Sequence, residues 1–309
     1  MIVYAKGMDN DIYMRRIKEF AKANPRHHFT SKEGRDADVI LTEELSAEEI
    51  GLYPKLKAVF APIVGKNKFA VKELEKREIK TFFIEGTPEI VAEHALALAL
   101  AAMGKIALHD RNMKERDSWS FDDSYWDSLF GAKAAILGAG RIGGMIASYL
   151  RPFKCDITAF DKRRRECGGL FDRTTDDLRE VISGAEVVFA ALELNDETFH
   201  IIGKEELELM KGAYLINIAR AGLVDEEALD FAVKNRLLKG FAADPWYEYP
   251  ASYPEGGGGA CDDCAPSRFD FYKSPRVVCT PHTGTQTLRA REAYISQILG
   301  KLESYLNAG

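Results

Sequence analysis

Residues 134–150, AAILGAGRIGGMIASYL, constrain the fold more than any other stretch of the chain. An apolar run reads as a strand, the pattern Gly138-x-Gly140-x-x-Gly143 follows, and an amphipathic segment then reads as a helix. Gly138 permits a tight strand-to-helix turn, Gly140 lets a pyrophosphate approach the backbone, and Gly143 lets helix and strand pack closely. The start of the helix favours an anion. Arg141 and Ile142 complete this cofactor-facing loop. A second apolar strand, DITAF, ends at Asp161, at the ~20-residue spacing where a carboxylate binds the ribose hydroxyls of a dinucleotide. Asp161 favours NAD, because a carboxylate repels the 2′-phosphate of NADP. The basic run Lys162-Arg163-Arg164-Arg165 directly after it can offset that repulsion, so NADP stays open.

Apolar runs place further strands at 133–137, 156–160, 186–191, 213–218, 239–243 and 276–280, with helices near 141–151, 175–183, 203–210 and 225–235. Six strands so spaced predict a doubly wound sheet. The first 90 residues repeat the βα alternation, with strands at 2–5, 39–41, 57–61 and 81–84 and helices at 11–23 and 67–77. An α/β chain of 309 residues with two such regions predicts two domains. Thr87-Pro88-Glu89 opens a helix running to about residue 105: Thr87 is the expected N-cap, Pro88 fits the first turn and Glu89 complements the dipole. Its Ala/Leu-rich composition predicts burial nearly all round, as at a domain or subunit interface. Residues 111–130 read as a polar and aromatic connector, 250–275 as a long loop, and 286–306 as a final helix.

Composition narrows the function. Hydrophobic residues at 46% and charged residues at 29% describe a soluble globular chain. A formal charge of −6 gives no general attraction for nucleic acid. No apolar run reaches the ~18 residues of a membrane span, and the N-terminus has no signal-peptide pattern. Five cysteines, an odd count, fit a reducing cytoplasm. Cys261-x-x-Cys264 sits in a glycine-rich loop without a second ligand pair, so no metal site is expected.

The ordered segments VAEHALALAL, LGAGRIG with Asp161, LINIARAGLVDEEAL, FAADPWYEYP and VVCTPH resemble the D-isomer-specific 2-hydroxyacid dehydrogenases. The resemblance spans roughly residues 50–290 and implies a Rossmann cofactor domain (93–284) inserted into a smaller flavodoxin-like catalytic domain (1–92 plus 285–309). It implies NAD as cofactor, a small 2-oxo or 2-hydroxy acid such as glyoxylate, hydroxypyruvate or a pyruvate-like acid as substrate, and a homodimer joined through the cofactor domain. Arg220 lies just past the strand 214–219, where a guanidinium can hold a carboxylate in two parallel hydrogen bonds; the resemblance makes it the 2-oxo acid anchor. His282, in Thr280-Pro281-His282, matches the proton donor and acceptor, and a histidine's ordinary pKa suits that exchange. Asp244 matches the aspartate that contacts the nicotinamide carboxamide, and Ala219 joins the cofactor residues. Where the family has a glutamate bonded to the catalytic histidine, this chain has Tyr249, with Glu248 just before it. Neighbours in an extended segment point oppositely, so one or the other partners His282. Val64, Gly65 and Lys66 occupy the loop whose backbone N–H groups bind the substrate carboxylate in the family, and Lys66 is unusual there. Two alternatives remain: a cofactor-sensing, corepressor-like protein with weak catalysis, and a formate-dehydrogenase-like reaction.

The Asp161 assignment makes a test. Asp161→Ser removes the repulsive carboxylate, so the ratio of NADPH to NADH use in kcat/KM rises. An unmoved ratio takes Asp161 away from the ribose.

Overall fold

The computed structural model describes residues 1–66, 68–116, 119, 125–163, 169–250 and 264–308. Asn67, Arg164, Arg165 and Cys261 lie outside the described residues. The chain divides into two compact units, one built on Met1–Thr87 with Gln286–Gly309, the other on Pro88–Pro250 with Cys261–Thr285.

The first unit runs β1 (Ile2–Ala5), α1 (Asp11–Ala23), β2 (His28–Thr30), β3 (Val39–Leu41), α2 (Ala47–Gly51), β4 (Ala58–Ala61), α3 (Val71–Lys76) and β5 (Lys80–Phe83). Its sheet is wholly parallel in the order β2-β1-β3-β4-β5, the flavodoxin-like arrangement. Local signals set the helix starts: the Asn10 side chain accepts from the Tyr13 N–H, and Ser46 and Glu49 form a capping box. One face of the sheet buries Val3 and Phe60 against Ile295, Ile298 and Leu302 of the C-terminal helix. Such burials are worth about 1.5–3 kcal/mol each. The other face packs Ile40 and Val59 on Tyr53 and Leu74.

The second unit opens with α4 (Pro88–Met103) and α5 (Ile106–Arg116), followed by β6 (Lys133–Leu137), α6 (Arg141–Leu150), β7 (Asp156–Phe160), β8 (Arg173–Thr175) and α7 (Leu178–Ile182). It continues with β9 (Val187–Ala190), α8 (Lys204–Leu209), β10 (Tyr214–Asn217), α9 (Glu226–Lys234), β11 (Gly240–Ala243) and β12 (Val277–Cys279). The C-terminal helix, α10 (Leu288–Ala308), belongs to the first unit. The second sheet is also fully parallel, in the order β12-β11-β10-β9-β6-β7-β8. From β6 the chain winds outward one way through β7 and β8, then returns to β9 and winds the other way. That is the Rossmann pattern, and its switch point lies between β6 and β9, where open sheets bind ligands at the strand carboxyl ends.

Several expectations need correction. Among the described residues the second sheet has seven strands, not six: β8 is the polar tripeptide RTT at an edge, with no apolar run to mark it. The edge strand β2, HFT, and the short α2 were invisible for the same reason. The expected connector at 111–130 begins inside α5 (Ile106–Arg116), whose side chains include no buried residue and so give no apolar stripe. Thr87 does not cap α4 through its side chain; its hydroxyl is buried without a hydrogen-bond partner. Nor is α4 buried all round. Ala92, Ala95, Leu98, Ala99, Ala102 and Met103 are buried, while Glu93 and Ala97 are exposed. Beyond residues 251–263 the chain is tied down by buried Glu226 at the start of α9, which accepts from Ser267 Oγ at 2.8 Å and pairs with Arg268 Nε at 2.8 Å.

Candidate active site

The turn after β6 shows what each glycine does. Gly138 has φ +110°, and a Cβ there would lie 2.8 Å from the Ala191 carbonyl oxygen. A Cβ on Gly143 would lie 1.9 Å from the Gly138 oxygen, so helix and turn touch as only glycine allows. Gly140 is the contrast: a Cβ there would meet nothing within 4 Å, which leaves the backbone open on that side. No side chain caps α6, and its first turn holds no acidic residue. An open backbone at Gly140 and a helix start without a side-chain cap fit a dinucleotide pyrophosphate. Arg141 is exposed and Ile142 half-buried in the same turn. Asp161, 4% exposed, follows β7 on the neighbouring strand and accepts from the Arg163 N–H at 2.8 Å. Lys162 is paired with Glu197 at 2.8 Å, so part of the basic run already has a counter-charge.

Across the sheet, β10 ends in Asn217, a buried amide 1% exposed. Its Nδ2 donates to the Arg220 carbonyl at 2.9 Å, and its Oδ1 accepts from the Ala219 N–H at 3.1 Å. The two bonds fold residues 217–220 into a turn that puts the Arg220 side chain at the surface, where Nη1 donates to the Ala219 carbonyl. On the next strand out, Asp244 follows β11. Oδ1 accepts from Thr280 Oγ1 at 2.6 Å, the Thr283 N–H at 2.8 Å and His94 Nε2 at 3.2 Å; Oδ2 accepts from the Gly284 N–H at 2.8 Å. Burial works against ionisation of Asp244, but these donors outweigh it and hold its pKa below the ordinary carboxylate value.

His282 follows β12 with φ +53°, a left-handed conformation costly for a side chain. Its N–H is shared between the carbonyls of Asp244 (2.9 Å) and Thr280 (3.0 Å). Its Nδ1 lies 3.0 Å from the Tyr249 hydroxyl. That hydroxyl oxygen also accepts from the Trp246 N–H at 3.2 Å, and Trp246 Nε1 donates to the Thr280 carbonyl at 3.0 Å. Burial depresses the His282 pKa; Asp244 opposes that shift and the Arg220 guanidinium adds to it. The structure thus brings together Tyr249, Asp244 and His282, with Arg220 close enough for its charge to act on His282. Glu248 is exposed, and its backbone N–H bonds to the Pro266 carbonyl.

In the first unit, Val64 and Gly65 are exposed, and Lys66 Nζ sits 5.5 Å from the Phe83 ring centre. Val64 packs on Gly86, where a Cβ would approach its Cγ2 to 2.9 Å. Sequence reading missed two residues. Asn217 shows only as one amide closing an apolar strand. His94 sits in an Ala/Leu-rich helix whose composition signals only packing, yet it bonds Asp244. Among the described residues no His, Cys, Asp and Glu cluster could hold a metal ion.

The chain matches the family profile described as D-isomer specific 2-hydroxyacid dehydrogenase, NAD binding domain, over residues 96–284. It is 30% identical to a glyoxylate reductase of Pyrococcus horikoshii over 294 residues, covering 89% of this chain and 81% of that protein. A glyoxylate reductase of Pyrococcus furiosus is 29% identical over 291 residues, covering 88% and 80%. The NAD-complexed crystal structure of a D-isomer specific 2-hydroxyacid dehydrogenase from Lactobacillus delbrueckii ssp. bulgaricus shares the fold, with a TM-score of 0.83, 21% identity, and coverage of 100% of this chain and 98% of that one.

A reduction that takes its proton from His282 needs the imidazolium, so kcat/KM falls as pH rises through the His282 pKa. Burial and Arg220 place that limb below the ordinary histidine value. Tyr249→Glu puts a carboxylate at Nδ1 and moves the limb up by about one unit or more, while Glu248→Gln leaves it in place. Single-turnover rates across pH read this directly. A limb that responds to Glu248→Gln and ignores Tyr249→Glu reverses the assignment.

Proposed function

Because the chain belongs to the D-isomer-specific 2-hydroxyacid dehydrogenase family, we propose that this NAD-dependent oxidoreductase interconverts a small 2-oxo acid and its 2-hydroxy acid. Glyoxylate, hydroxypyruvate and pyruvate-like acids are the substrates this reading names. The observation that carries it is the placement, within one unit, of a dinucleotide turn with open backbone at Gly140 and of Arg220, whose charge reaches His282. The glyoxylate reductase relatives support the choice of substrate.

Gly138 to Gly143 would hold the cofactor pyrophosphate, Asp161 the ribose, and Ala219 and Asp244 the nicotinamide half. Bound NADH supplies a hydride. Arg220 anchors the substrate carboxylate through parallel hydrogen bonds and polarises the adjoining carbonyl. The Tyr249 hydroxyl orients the ring through Nδ1, and the imidazole delivers the proton to the carbonyl oxygen, or withdraws it in the reverse direction. Asp244 Oδ2 has one protein donor while Oδ1 has three, so Oδ2 is the oxygen that would take a carboxamide.

The reading includes a homodimer through the second unit. It is supported by the exposed apolar side chains of Ile106 and Met113 on α5 and of Trp126 and Phe130 beyond it. It also includes a cytoplasmic setting, supported by the unpaired thiols of Cys155 and Cys279.

A panel of glyoxylate, hydroxypyruvate, pyruvate and formate, run with both NAD(H) and NADP(H), tests the reading. Turnover of a 2-oxo acid with NADH is expected. Arg220→Ala then raises KM and lowers kcat together, a loss of about 3 kcal/mol, or roughly a hundredfold in kcat/KM. Cofactor binding without turnover of any acid favours a sensor, and formate oxidation alone favours the formate reaction.

A further inference from the structure

His94 occupies the middle of α4, where its buried neighbours Ala92, Ala95, Leu98 and Ala99 are all apolar. Its ring reaches two strand ends at once: Nε2 is 3.2 Å from Asp244 Oδ1 and 3.1 Å from Thr280 Oγ1. An ionised carboxylate only accepts, and the Thr280 hydroxyl spends its hydrogen on Asp244 at 2.6 Å. Nε2 therefore carries the hydrogen that both oxygens receive.

The other donors to Asp244 all come from residues 280–284, the segment that presents His282. His94 alone arrives from another element. That segment is held against strain: His282 is left-handed at φ +53°, a conformation costing roughly 1–3 kcal/mol that persists only when its surroundings over-determine it. The packing is close enough that a Cβ on Gly284 would lie 2.8 Å from Asp244 Oδ2 and 3.3 Å from His94 Cδ2. A carboxylate only 4% exposed keeps its charge and orientation when its donors are complete.

We propose that His94 is a positioning residue for the reaction: through Asp244 and Thr280 it clamps the left-handed turn that presents the His282 ring. Loss of its N–H leaves the buried carboxylate short of a donor and releases the turn on the side of α4. The ring of His282 then samples positions off the line to the carbonyl oxygen, where a displacement of an ångström is costly to transfer rates. The inference rests on His282 as the acid–base group, but its physical content is the clamp.

Wild type, His94→Leu and His94→Gln of the full chain are compared in two ways. The first is hydrogen exchange at the Thr283 and Gly284 amides, which needs no substrate. The second is single-turnover reduction of glyoxylate at saturating NADH. His94→Leu, which keeps bulk and loses the donor, is expected to speed exchange at both amides about tenfold and to slow transfer by about tenfold or more, with the melting temperature and exchange in β6 and β10 little changed. His94→Gln, which retains a donor, restores both to within about threefold of wild type. If the leucine variant does not fold, His94→Asn, polar but too short to reach Asp244, takes its place with the same expectation. Unchanged exchange, unchanged transfer, or equal defects in the donor and non-donor variants overturns the proposal. A wild type that reduces no 2-oxo acid overturns the substrate reading instead, while the exchange comparison still decides the clamp.

Discussion

Parallel pairing of three strands brings the reactive groups to one edge. Asn217 at the end of β10 is in register with Ala243 at the end of β11, which is in register with Cys279 at the end of β12. The residues just beyond these three ends therefore emerge at the same level and on the same side, and they include Arg220, Asp244 and His282. The pairing of β6 with β9 and β7 places Gly138 and Asp161 at that edge too. The strands are nearly all apolar and buried on both faces, so a slip of one residue would swap the side chains packed on one face with those packed on the other. Burial therefore fixes the register, and the register fixes the site.

Local bonds then refine what the sheet delivers. Asn217 bends one strand end so that Arg220 faces outward, and Asp244 gathers the turn after another. These placements set the electrostatics. His282 is half-buried, feels the charge of the Arg220 guanidinium, and touches a phenol where a carboxylate is usual in the family. Asp244 is the negative charge that favours its protonation, partly offsetting burial and Arg220. In the proposed reading the site separates two tasks that one glutamate would combine: Tyr249 orients the ring, and Asp244 supplies the charge.

The parts of this arrangement written into the sequence are those enforced by backbone geometry or by burial. The three glycines of the β6–α6 turn were legible because nothing but glycine fits at Gly138 and Gly143. The central strands were legible because continuous apolar runs such as VVFA and YLIN have no other place to go. The edge strands β2 and β8 are tripeptides with at most one apolar residue, and their pairing depends on neighbours formed elsewhere, so no periodicity marks them. Arg220 and His282 could be placed at strand ends, but His94 could not be placed against Asp244, since 150 residues separate them and only the packing of α4 beside β11 joins them. The choice between Tyr249 and Glu248 was open for a related reason: it depends on the path of one short segment, which Trp246 pins at both its backbone and its indole nitrogen.

The central claim is that this edge supports direct hydride transfer to C2 of a 2-oxo acid, with the proton coming separately through His282. Mass spectrometry of the product formed from glyoxylate and NADH deuterated at C4 tests it most directly. The account predicts glycolate with a single deuterium at C2 from one face-labelled form of NADH and none from the other, in ordinary water. Glycolate without deuterium from either form, or deuterium at C2 only when the solvent is heavy water, contradicts it.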